Sequence, residues 1–264
     1  MDLRFSLIGL LIGFLIGLTG MGGGSLMTPV MILVMGVKPI VAVGTDLAYG
    51  AITRIVGGTA HFRHGTVHRK TAYLLATGSI PATILGVGVI AAIKNADPSF
   101  INTFLLRAIA VVLIVVAAVL IAKPLLMQVA RRSGLQGDFR DGIQMLGDRR
   151  PWILPILGAV VGFLVGLTSV GSGTIIIAAL FFLYPRWQSK DLVGTDVFHA
   201  AMLVSAASVA QLVAGNVNIP MMLSLLIGSI PGVLLGSRLA IDFPERLLRF
   251  GLATILIVSG AELL

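Results

Sequence analysis

Six stretches of roughly 20 residues run through the chain with few charged side chains: 39–61, 71–93, 101–126, 190–214, 220–241 and 247–264. A helix of about 20 apolar residues crosses a hydrocarbon core of about 30 Å. Inside such a core every backbone polar group must find its partner within the protein, which leaves helices or closed barrels. The chain is 57% hydrophobic and only 11% charged, against about 25% charged in a soluble domain. The expected class is an all-α polytopic membrane protein, with the lipid bilayer as its solvent.

Two further apolar stretches, 6–35 and 152–184, are long but interrupted. One breaks at Thr19-Gly20-Met21-Gly22-Gly23-Gly24-Ser25, the other at Thr168-Ser169-Val170-Gly171-Ser172-Gly173-Thr174. They are versions of one another. Gly13-Phe14-Leu15-Ile16-Gly17-Leu18-Thr19 matches Gly162-Phe163-Leu164-Val165-Gly166-Leu167-Thr168. In the same register, Val43-Gly44-Thr45-Asp46 matches Val193-Gly194-Thr195-Asp196, and Gly78-Ser79-Ile80-Pro81 matches Gly228-Ser229-Ile230-Pro231. Internal duplication recurs in membrane transporters. Residues 1–127 and 152–264 are therefore expected to be two homologous membrane repeats. Residues 128–151, rich in Arg and Asp, are expected to be a cytoplasmic linker. The repetition also argues against reading residues 5–18 as a signal peptide.

Each interrupted stretch either crosses once as a broken helix or folds back as a re-entrant hairpin. Single crossings put Arg4, Arg63, Arg69, Lys70, Lys123, Arg131, Arg132, Arg140, Arg149 and Arg150 inside and leave seven cations outside. Hairpins put Arg186, Lys190, Arg238, Arg246 and Arg249 inside as well, and leave only Arg4, Lys38 and Lys94 outside. Basic loops favour the cytoplasmic side, so hairpins are preferred. Each repeat then makes three crossings, and the two repeats lie inverted. Glycines at every fourth residue (Gly9, Gly13, Gly17; Gly158, Gly162, Gly166; Gly228, Gly232, Gly236) read as close-packing faces.

The formal charge of +8 suits loops that hold topology against anionic head groups. Without aromatic residues interleaved among the cations, nucleic acid is not an expected partner. No cysteine is present, so disulfides and thiolate metal sites are excluded. His61, His64 and His68 sit in a basic stretch that reads as a solvated loop, and neither a metal nor a cofactor is expected.

The breaks are where chemistry is expected. A helix that restarts in mid-membrane exposes unpaired N–H groups, whose partial positive charge suits an anion. Candidate substrate-binding residues are Thr19, Gly22, Gly23, Gly24 and Ser25 in one break, and Thr168, Ser169, Gly171, Ser172, Gly173 and Thr174 in the other. Asp46 and Asp196 are candidates for proton coupling, because a carboxylate in a membrane segment is costly; helix capping is the alternative role. Arg54 faces Val204 in the other repeat and so breaks the symmetry. With His199 it is a candidate anion or ion-pair partner. Tyr49, His61 and Gln211 are weaker polar candidates. Arg107 and Arg249 read as interfacial side chains.

These motifs resemble the sulfite exporter TauE/SafE family of membrane permeases, over nearly the whole chain. The resemblance implies a bacterial-type plasma-membrane carrier for sulfite, sulfonates or related sulfur-containing anions. Many members have Ser where this chain has Asp46 and Asp196. The expected function is a secondary, proton-linked anion transporter, with a passive anion channel as the alternative and a homodimer left open. No phosphate-binding loop and no nucleophile elbow is present, so neither ATP-driven transport nor catalysis is expected.

Overall fold

The computed structural model describes residues 3–19, 24–97, 99–132, 151–184, 187–239 and 245–264. Among these residues the chain is entirely helical. The elements are α1 (Leu3–Thr19), α2 (Gly24–Leu33), α3 (Pro39–Arg63), α4 (Arg69–Ala96), α5 (Phe100–Arg132), α6 (Ile153–Thr168), α7 (Ser172–Leu183), α8 (Ser189–Val213), α9 (Ile219–Leu239) and α10 (Glu245–Glu262). Five of them, α3, α4, α5, α8 and α9, are long and apolar enough to cross a membrane. Helix α5 continues five residues past the expected repeat boundary at 127, and the rest of the expected linker 128–151, apart from Pro151, lies outside the described residues.

The pairing of helices follows from the glycines. Where a Cβ on Gly9, Gly13 or Gly17 of α1 would stand, the backbone of Leu225, Ser229 or Val233 of α9 already lies. Gly158, Gly162 and Gly166 of α6 lie in the same way on Leu75, Ser79 and Thr83 of α4. In lipid, where tails are as apolar as Leu, such backbone-to-backbone fit is a main source of helix association. The first helix of each half thus docks on the fourth helix of the other half. Both pairs run parallel, because residue numbers rise together along them.

Helices α3 and α8 form the central pair. Gly50 faces Val204, and Gly57 faces Val197, so this pair runs antiparallel. Helix α9 turns back from α8 through the short segment 214–218 and therefore runs with α3. Since α1 is parallel to α9, α1 and α3 point the same way. Helix α2 must then return the chain to the side where α1 began, and by the same argument α7 reverses α6. Each broken stretch is a hairpin.

Large apolar side chains point outward along the flanks, among them Leu85 of α4 and Leu234 of α9. The interior holds Leu47, Leu75, Ile109, Leu113 and Leu203 together with an unusual number of buried polar groups.

Candidate functional site

The repeated Val-Gly-Thr-Asp segment does three jobs within one turn of helix. Gly44 leaves space for the backbone of Asn216, and Gly194 leaves the same space for Thr66. The next residue receives the loop that passes there: Thr45 Oγ1 accepts the N–H of Asn218, and Thr195 Oγ1 accepts that of His68. Each loop amide is thereby satisfied by a threonine that is itself buried. The third residue, Asp46 or Asp196, turns to a hairpin tip. An added Cβ on Gly24 would stand 3.5 Å from Asp46 Oδ2, and one on Gly173 would stand 3.4 Å from Asp196 Oδ2.

The second hairpin tip is well defined. Helix α6 stops at Thr168, and Ser169 (φ 62°) and Gly171 (φ 98°) both adopt the left-handed conformation before α7 starts at Ser172. A non-glycine residue held at positive φ marks strain that surrounding contacts must hold in place. Here the holding contact is visible, because Ser169 Oγ donates to Asp46 Oδ2 at 2.8 Å. Thr28 of α2 donates to the same oxygen at 2.6 Å. Asp46 therefore ties both hairpins to α3. The two tips also touch directly, with Gly24 against the Ser169 carbonyl.

Arg54 of α3 reaches the start of α7, where its Nη1 donates to Ser172 Oγ at 2.7 Å. It lies within electrostatic reach of Asp196 and, more weakly, Asp46. No side chain caps α7. A cavity of about 10 Å³ opens here, lined by Gly24, Ser25, Arg54, Gly171, Ser172, Gly173 and Thr174. That volume admits about one water. Oδ1 of Asp46 and Oδ1 of Asp196 are buried without a hydrogen-bond partner among the described residues.

Of the sequence candidates, Gly24, Ser25, Ser169, Gly171, Ser172, Gly173, Thr174, Asp46, Asp196 and Arg54 come together. Thr168 spends its hydroxyl on the Leu164 carbonyl of its own helix. Thr19 ends α1 with its side chain undescribed, and Gly22 and Gly23 lie outside the described residues. His199 is fully buried and its Nε2 pairs with Ser79 Oγ at 2.8 Å. Its repeat counterpart Tyr49 is buried too, near Ser229, whose own hydroxyl donates to the Leu226 carbonyl. His61, His64 and His68 go separate ways, to Thr66 Oγ1, to the Ala60 carbonyl and onto the Trp187 ring. Arg107 is exposed on α5.

Sequence reasoning missed Thr28, Ser79 and Ser229. The two serines stand inside the Gly-Ser-Ile-Pro motif, so recurrence could have marked them. Thr28 has Ile177 at its repeat position, so recurrence gives no signal there.

The family model described as "Sulfite exporter TauE/SafE" matches residues 5–263. A Bacillus subtilis (strain 168) protein named "Probable membrane transporter protein YjnA" is 38% identical, with all of both chains covered. YunE of the same organism, with the same printed description, is 28% identical over 97% of this chain and 95% of its own. A "Probable membrane transporter protein" of Xylella fastidiosa (strain Temecula1) is 24% identical over 87% of this chain and 81% of its own. No solved structure matches the chain. With five membrane-length helices and a family match from end to end, the chain belongs to the sulfite exporter TauE/SafE family of membrane transporters.

Proposed function

We propose that this chain is a secondary transporter for a small anion, namely sulfite, a sulfonate or a related sulfur-containing anion, moved with a proton across a bacterial-type plasma membrane. The observation that carries the reading is Arg54. It is a guanidinium in the interior of a membrane helix, hydrogen-bonded to the first residue of an uncapped half-helix beside a cavity. An intramembrane cation is expensive and is a functional candidate by default. Its fork of donors matches the oxygens of a sulfur oxyanion, and the N-terminus of α7 adds partial positive charge beside it.

The architecture supports the same reading. Parallel pairing of α1 with α9 and of α6 with α4, around an antiparallel α3–α8 pair, is what two inverted repeats of three crossings each would make. Inverted repeats with half-helix termini at mid-membrane are a common plan for secondary carriers. The space at the tip holds about one water and is smaller than any polyatomic anion. Loading therefore requires rearrangement, as expected of a carrier rather than an open channel.

The test is uptake into proteoliposomes of sulfite, sulfate, ethanesulfonate and acetate, with and without a proton gradient. The expected result is gradient-driven uptake of at least one sulfur oxyanion, acceleration by the same anion on the far side, and loss of both in Arg54→Gln. Gradient-independent flux at channel rates would overturn the carrier reading.

A further inference from the structure

The two aspartates share a motif, a depth in their helices and a glycine neighbour at a hairpin tip, yet their surroundings differ. Asp46 accepts two hydroxyls, from Thr28 and Ser169, which come from the two different hairpins. Asp196 is 3% exposed, has no hydroxyl donor among the described residues and leaves Oδ1 unpartnered. What Asp196 has instead is the start of α7 at Gly173 and the charge of Arg54. Its Oδ2 stands beside Gly173, one of the residues that line the small cavity at the start of α7, and Arg54 gives its hydrogen bond to Ser172 instead.

From this we infer, resting on the anion-transport reading above, that Asp196 alone is the acid that takes up the proton accompanying the substrate. Asp46 is a fixed tie between the hairpins.

The charge count explains why. Arg54 brings one positive charge, and the two carboxylates bring two negative ones. Adding a monoanion would leave a net of minus two in a medium of low dielectric, which Coulomb's law penalises heavily. A proton from the aqueous side that bonds to Asp196 neutralises it and removes its repulsion of the anion, leaving the positive field of Arg54 and of the α7 N-terminus to act on the substrate. The anion then binds at the α7 start, and on release the proton leaves Asp196 again, so one proton moves per anion. Asp46 cannot serve in this way without giving up its tie.

The groups facing Asp196 allow this. From α3 come Arg54 and, farther off, Asp46. The loop before α4 brings His68, bonded through its N–H to Thr195. Helix α4 brings Arg69, Lys70 and Tyr73 near its exposed start. Helices α6 and α7 carry no ionisable side chain. Helix α8 itself adds His199, occupied at Nε2 by Ser79.

The experiment uses full-length protein in detergent and in liposomes, with ethanesulfonate and sulfate as probes because their charge is constant from pH 5.5 to 8.5. Thermal-shift titration of the wild type should give affinity that falls by up to about tenfold per pH unit as pH rises, since proton and anion binding are reciprocally linked. Asp196→Asn should abolish that slope, and Asp196→Glu should restore it. Asp46→Asn should keep the slope while lowering thermal stability. Infrared difference spectra across the same pH range supply a ligand-free arm. A protonated-carboxyl carbonyl band should titrate in the wild type and in Asp46→Asn, and vanish in Asp196→Asn. An unchanged slope or band in Asp196→Asn, or their loss in Asp46→Asn, overturns the assignment. A wild type that responds to no anion overturns the transport reading, and the infrared arm still decides for or against Asp196.

Discussion

Replacing Gly13 by Ala tests the exchange of first helices between the halves. A Cβ on Gly13 would overlap the Ser229 carbonyl oxygen and stand 2.6 Å from Ser229 Cα and 2.9 Å from its carbonyl carbon, where ordinary contact is 3.4–4 Å. The obstacle is the α9 backbone, which cannot turn aside as a side chain can. Helix α1 must retreat by roughly 1 Å, a gap that forfeits a quarter to a half of each contact well along the seam. Gly9 and Gly17 lie on the same seam, so their fit is lost too. Overpacking of this kind costs about 1–3 kcal/mol, and Ala returns about 0.5–1 kcal/mol through its lower backbone entropy. At mid-range the net expectation is a loss of roughly 1.2 kcal/mol, or about 2–5 °C in midpoint at about 2–4 °C per kcal/mol for a chain of this size. Fluorescence-detected size-exclusion after heating reads the midpoint. Gly162→Ala on α6 should behave alike, and the pair should add, because the two seams are separate. Gly88→Ala is the control: nothing lies within 4 Å of its Cβ position, so it should be neutral or slightly stabilising. If Gly13→Ala or Gly162→Ala left the midpoint unchanged, the seams would not be what holds α1 and α6.

Thr195→Val leaves the His68 amide without its acceptor, at a cost of about 0.5–1.5 kcal/mol for a half-buried hydrogen bond. Faster proteolysis within residues 64–68 should report it, and Thr45→Val should do the same for residues 214–218. Because the chain has no cysteine, single cysteines map sidedness directly. Arg4→Cys and Lys38→Cys should both react with an impermeant maleimide only from outside, and His64→Cys only from the cytoplasmic side; labelling of Arg4→Cys and Lys38→Cys from opposite sides would refute the hairpins. Asp97, at the start of α5, accepts from the Ser99 hydroxyl and from the N–H groups of Ser99 and Phe100, which holds its carboxyl below the ordinary value of 3.8. A lowered folded value means the carboxylate's contribution is present above about pH 3.8 and is lost as pH falls through the folded value. Asp97→Ala should therefore remove part of the acid sensitivity of the wild type, read as a midpoint that depends less on pH below 4.

Much of this protein is written in recurrence, and what recurrence cannot carry is where the sequence falls silent. Glycines at every fourth position announce that a backbone comes close, but nothing in them names the partner. That α1 meets α9 rather than α4, and so that the broken stretches turn back, follows only once both surfaces are placed. The loop contacts of Thr45 and Thr195 were open to reading in principle, because each residue recurs with its motif. The difference between Asp46 and Asp196 was not. Their motifs are identical, and the donors that distinguish them come from positions where the halves have diverged: Thr28 stands against Ile177, and Ser169 against Gly20. Arg54 against Val204 is the third such position. A perfectly repeated chain would present two equal carboxylates and no guanidinium, and so no preference for where an anion or a proton should sit. The three departures turn a symmetric frame into one with a single guanidinium, one carboxylate that accepts two hydroxyls and one that accepts none among the described residues, which is the asymmetry the proton assignment is argued from.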